Sequence, residues 1–157
     1  MSVQTSSGSL FNYSVAVSSL HPPLRVAAVG LAFALQAVAA QFTIPMPFSL
    51  VPFVLTPLVV LLSGAALGSR LGAITQALYI LAGVAGAPVF APSATLPAGA
   101  LGLLGPTGGY LMAYPLAAFV TGWLAERGWD RRYVTSVAAM FLGLLVIFAG
   151  GVSWLSI

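Results

Sequence analysis

The chain has 157 residues, 60% of them hydrophobic and 4% charged, with a formal net charge of +3. So few charges cannot keep the surface of a soluble domain hydrated, so the composition predicts an integral membrane protein without a separate soluble domain. All five basic residues are arginine, too few for a nucleic-acid surface, and the absence of cysteine excludes disulfides, thiolate metal sites and cysteine nucleophiles.

At about 20 residues per span, the length allows roughly five or six helices in one bundle. Residues 1–23 are Ser-rich, lack the basic start of a signal peptide, and are expected to form an N-terminal cytoplasmic tail. His21-Pro22-Pro23 should end that tail, because proline pushes the residue before it out of the helical region. The bundle is expected over 24–157. Its spans are predicted at about 24–42, 51–67, 71–87, 108–125 and 134–154, with a tight turn at Gly68-Ser69-Arg70. The loop from Pro88 to Pro106 holds four prolines and a short apolar piece near Ala98 to Leu104, read as a re-entrant or interfacial segment.

The arginines set the topology. Arg25 precedes the first span, Arg70 lies between the second and third, and Arg127, Arg131 and Arg132 lie between the fourth and fifth. With the N-terminus inside, every basic residue obeys the positive-inside rule, and with the opposite topology none does. The Pro-rich loops 43–50 and 88–107 then face outside and carry no charge.

The most informative run is Gly105-Pro106-Thr107-Gly108-Gly109-Tyr110-Leu111, which opens the fourth span. Two readings stand side by side. Thr107 can cap the helix while the glycines allow close packing, or the glycines can let a ligand approach the backbone. No Gly-Lys-Ser/Thr follows, so the run is not a phosphate-binding loop and ATP hydrolysis by this chain is not expected. Gln36, Gln41 and Gln76 lie within or at the ends of apolar spans, where an amide must find a partner helix or line a polar cavity. Tyr79, Tyr110 and Tyr114 fit an interfacial belt or a pocket wall. In the first span Ala28 with Ala32, and Gly30 with Ala34, form small pairs four apart, which suit close approach of another helix. Glu126 and Asp130, the two carboxylates, sit among arginines and read as a solvated, charge-balanced turn; with His21 they make no credible metal set or catalytic group.

Several of these stretches resemble one family. Ala40 to Pro47 (AQFTIPMP), Leu61 to Ala73 (LLSGAALGSRLGA), Leu78 to Ala91 (LYILAGVAGAPVFA) and above all Gly105 to Leu111 are similar in order and spacing to the BioY family, the biotin-binding S components of energy-coupling factor transporters. The resemblance implies an all-α, polytopic membrane bundle, here five of an expected six transmembrane helices, that takes biotin from outside and passes it inward when docked on a transmembrane coupling subunit with two ATPases. It implies a pocket under the loops after the first and third spans, so the candidate ligand-binding residues are Gln41, Pro45, Gln76, Tyr79, Val89, Phe90, Thr107, Gly108, Gly109 and Tyr110. Ala28, Gly30, Ala32 and Ala34 become the candidate partner interface. Biotin is the expected ligand, with no cofactor. Another vitamin, or a structural subunit that binds none, is the alternative. Two departures stand out. The family's Pro-x-Thr-x-Gln reads Pro52-Phe53-Val54-Leu55-Thr56 here, and no residue matches the Asp and Lys of the family's last helix, which engage the ureido ring and the carboxylate.

Overall fold

The structure is a computed structural model, and it describes residue 19 and residues 21–44, 46–48, 53–92 and 99–157. Pro45 and most of the expected tail lie outside the described residues. In chain order the elements are α1 (Pro22–Gln41), β1 (Thr43–Ile44), β2 (Phe53–Val54), α2 (Thr56–Val84), α3 (Ala100–Leu104), α4 (Gly108–Glu126), a 3-10 turn (Trp129–Arg131) and α5 (Tyr133–Leu155). Of these helices, α1 and α5 are each long and apolar enough to cross a membrane as single helices, and α2, with 29 residues, is as apolar as α1.

The first helix starts earlier than the sequence suggests. Pro22 and Pro23 occupy its first turn instead of preceding it. The amides there have no intrahelical acceptor, so proline forfeits nothing. A second difference follows α1: Thr43 pairs with Val54 and Ile44 with Phe53 in a two-residue antiparallel ladder.

The predicted second and third spans both fall in α2, and α2 is not straight. Gly68 has φ 86° and ψ 173°, a conformation that only glycine adopts readily. Residues 13 apart on a straight helix are separated by about 20 Å, yet Gln76 Nε2 donates to Ser63 Oγ at 2.9 Å. The helix therefore folds back on itself at Gly68 as a tight hairpin, as Gly68-Ser69-Arg70 predicts. A Cβ on Gly72 would stand 2.8 Å from Gly64 Cα, so the hairpin closes through paired glycines.

The α2 hairpin and α4 form the centre, around Val60, Leu61, Tyr79, Leu111, Tyr114, Ala117, Ala118 and Ile147. On one side α1 packs on α2, and on the other α5 packs on α4. The outer faces of α1 and α5 carry exposed Val26, Leu31, Leu35 and Val38, and Val137, Phe141, Leu145 and Val152, as lipid-facing surfaces should. This is the expected all-α membrane bundle. Chain reversals put Arg25, Arg70, Glu126 and Asp130 to Arg132 at one end, called here the charged end. The other end, with Gln41, Val84 to Phe90, α3 and Trp154, carries no charged side chain and is called the neutral end.

A candidate ligand end and a candidate partner face

At the neutral end the site grows from Tyr79. It is buried, and its hydroxyl donates to the Val89 carbonyl at 2.6 Å. Its ring meets Phe33 and Phe90 edge-on, at centroid distances of 6.0 and 5.6 Å. The Phe90 ring fills the space that a side chain on Gly83 would need, and it lies against Gly102 of α3. The segment after α2 is thus pinned between α1, α2 and α3. Gln41, at the end of α1, shares its amide between the Ala37 carbonyl at 3.5 Å and the Pro88 carbonyl at 3.4 Å. With Phe42, Thr43, Ile44, Phe53 and Leu55 it lines an open groove of about 300 Å³. The structure therefore brings Gln41, Tyr79, Val89 and Phe90 together.

The other described candidates, Gln76, Thr107, Gly108, Gly109 and Tyr110, are engaged with other parts of the chain. Gln76 is 0% exposed and engaged with Gln36, also 0% exposed. Gln36 Nε2 donates to Gln76 Oε1 at 2.6 Å, and Gln76 Nε2 returns a bond to Gln36 Oε1 at 3.0 Å while donating to Ser63. Both amide hydrogens of Gln76 are committed, so it joins helices instead of facing a ligand. Sequence reasoning placed Gln36 and Gln76 in the same class but had no signal that they face each other.

The glycine run is also used for packing. A Cβ on Gly108 would strike the Leu103 carbonyl, and one on Gly109 would strike Trp154 and the Gly150 carbonyl. On the side where a Cβ would stand, both glycines are packed against their own chain. Tyr110 turns toward α5, its ring 6.1 Å from Phe148 and lying over Gly151. Thr107 does not cap α4 with its side chain, because φ −88° and ψ −6° already place it in the helical region; its carbonyl accepts the Leu111 N–H at 3.1 Å. Trp154 Nε1 donates to the Gly105 carbonyl at 3.2 Å, so the run is clamped onto α5.

The small pairs of α1 divide by face. Two residues turn a helix by about 200°, so Gly30 and Ala34 lie opposite Ala28 and Ala32. Gly30 and Ala34 are exposed, and a Cβ on Gly30 would meet nothing within 4 Å. Ala28 and Ala32 are half-buried, on the flank that leads to Phe33 and Gln36. Only the first pair forms an open strip.

At the charged end Glu126 is exposed, as in a solvated turn, and also has a structural partner. Its Oε1 accepts the Ser69 N–H at 2.8 Å, and the Ser69 hydroxyl reaches both carboxylate oxygens at 3.1 and 3.0 Å. Ser69 restarts α2 after the Gly68 break, so the carboxylate answers exposed N–H groups and the positive end of a helix dipole. A Cβ on Gly122 would stand 2.5 Å from Ser69 N, so α4 sits tightly on the hairpin turn. Desolvation raises the Asp130 carboxyl above its ordinary range, opposed by its own backbone and by Arg131. A slot of about 10 Å³ beside Asp130 has space for about one water.

The chain matches the model of the BioY family over residues 12–157. It is 40% identical over 132 residues to a probable biotin transporter BioY of Pyrococcus horikoshii, covering 84% of this chain and 74% of that one. It is 42% identical over 123 residues to the biotin transporter BioY of Thermotoga maritima, covering 78% and 69%. Among solved structures, the S-component for biotin from an ECF-type ABC transporter superposes with a TM-score of 0.76 at 23% identity, covering 88% of this chain and 76% of that one. The solved structure speaks for the fold; the matched residues and the relatives together place the chain in the BioY family.

Proposed function

We propose that this chain is the biotin-capturing S component of an energy-coupling factor transporter in the plasma membrane. Family membership along nearly the whole chain carries the reading, since the relatives are described as biotin transporters. The geometry supports the neutral end as the site. Gln41, Tyr79, Val89 and Phe90 hold the apolar ring system; the Gln41 amide, held by long contacts of 3.5 and 3.4 Å, turns to the ureido ring, with Thr107 at the rim and Pro45, outside the described residues, as a further proposed contact. Gln76, Gly108, Gly109 and Tyr110 act behind them as framework. All seven charged side chains lie at the opposite end, which the positive-inside rule makes cytoplasmic together with the N-terminus. The neutral end then faces outward, where the vitamin arrives.

The bundle from Pro22 onward is the working unit, with the residues before it as a cytoplasmic tail and no cofactor. Gly30 and Ala34 offer the coupling subunit a strip of backbone it can approach closely. ATP hydrolysis falls to two partner ATPases, a reading supported by the lack of a Gly-Lys-Ser/Thr run in the sequence.

Saturable binding of radiolabelled biotin to the purified chain in detergent is the test. Phe90→Ala should weaken binding at least tenfold, and Tyr79→Phe about three- to tenfold, the worth of one hydrogen bond. A chain of full helical content that takes up no biotin, or that ignores both substitutions, would overturn the assignment.

A further inference from the structure

We propose that the charged end holds the headgroup of an anionic phospholipid, anchored by Arg127 on Trp123 and completed by Arg132. The guanidinium carbon of Arg127 lies 3.5 Å from the centre of the Trp123 ring. A guanidinium stacked in this way keeps its in-plane N–H groups for a phosphate. Trp123 is partly exposed in the last turn of α4, the depth at which tryptophan settles between headgroups and acyl chains.

Charge accounting leaves this site open. The chain has five arginines and two carboxylates, all at this end. The Glu126 carboxylate is turned to Ser69, and Asp130 is opposed by Arg131. The end therefore carries an excess of three positive charges; Arg70, Arg127, Arg131 and Arg132 are exposed, and of these Arg127 is the one stacked on a tryptophan. Gly128, at φ 85°, reverses the chain after α4 and returns it to Arg132 and the start of α5. Directly below Arg132, Tyr133 is 94% exposed, and Val134, Val137 and Phe141 continue an apolar stripe along one face of α5. The arginines call for a phosphate and the stripe for an acyl chain. A phospholipid supplies both, whereas free phosphate or an acidic peptide supplies only the first.

Tryptophan quenching in nanodiscs by acyl-brominated lipids tests the site. Brominated phosphatidylglycerol should quench more than brominated phosphatidylcholine at equal mole fraction. Each arginine at a membrane surface is worth about a fivefold preference. The Arg127→Ala/Arg132→Ala pair should abolish that preference while helical content and biotin binding persist. Arg127→Lys, which keeps charge but loses the stacked fork, should retain part of it. Equal quenching by the two lipids, or a preference untouched in the double variant, overturns the proposal. So does displacement by millimolar glycerol phosphate, which would mean that the acyl stripe plays no part. Loss of partner assembly by a double variant that keeps its lipid preference would assign the arginines to a protein instead.

Discussion

The two ends of this bundle are closed by different chemistry. At the charged end, α4 meets the α2 hairpin backbone to backbone through Gly122, and a carboxylate locks the turn, leaving about 10 Å³ free. At the neutral end, the Tyr79 and Phe90 rings and a shared glutamine amide close the structure, and Gln41 also borders an open groove of about 300 Å³ lined by Phe42, Thr43, Ile44, Phe53 and Leu55. Backbone contacts have one arrangement, whereas rings and long amides have several. One end is therefore fixed and the other can adjust, as a vessel for a small molecule requires.

The largest expected effect tests the fixed end. Gly122→Ala puts a methyl into Ser69, Gly68 and Gly64 backbone at 2.5–2.7 Å, with no side chain to move aside. We expect a loss of about 3 kcal/mol or more, read as denaturant or thermal unfolding in micelles. Gly109→Ala is the counterpart at the neutral end; its methyl would meet the Trp154 Cβ and the Gly150 carbonyl, neither of which can swing aside, so a loss of similar size, about 3 kcal/mol, is expected. If Gly109 proved the more sensitive, the contrast between ends would be reversed.

Gln76→Leu comes next. It strands the Gln36 amide in the membrane interior at about 1–2 kcal/mol, and the Gln36→Leu/Gln76→Leu pair should recover most of that. Failure of the pair to recover would mean that the amides do more than satisfy each other. The smallest effect on folding belongs to Gly30→Leu. Nothing stands within 4 Å, so thermal stability should stay within about 0.5 kcal/mol, while co-purification with a coupling subunit drops. An unchanged co-purification would remove Gly30 and Ala34 from the interface.

The helices were legible because lipid demands long apolar runs, and the topology because arginines report it. Gly68-Ser69-Arg70 read correctly as a turn, since a hairpin this tight needs a residue that tolerates positive φ. What was not legible concerned partners. Gly108 and Gly109 carry the same letters whether a ligand or Trp154 lies against them. Gln36 and Gln76 are 40 residues apart, and only the fold shows that they are each other's partners. Two residues in each strand, Thr43–Ile44 and Phe53–Val54, are too few for any alternation to register.

The amide pair has a consequence for biosynthesis. At about 5–20 residues per second, α1 precedes Gln76 out of the ribosome by about 2–8 s. During that interval Gln36 has no partner in hydrocarbon, because the amide that satisfies it has not been made. The two bonds that join these amides can therefore form only after the α2 hairpin has been made, so the docking of α1 is completed late in synthesis.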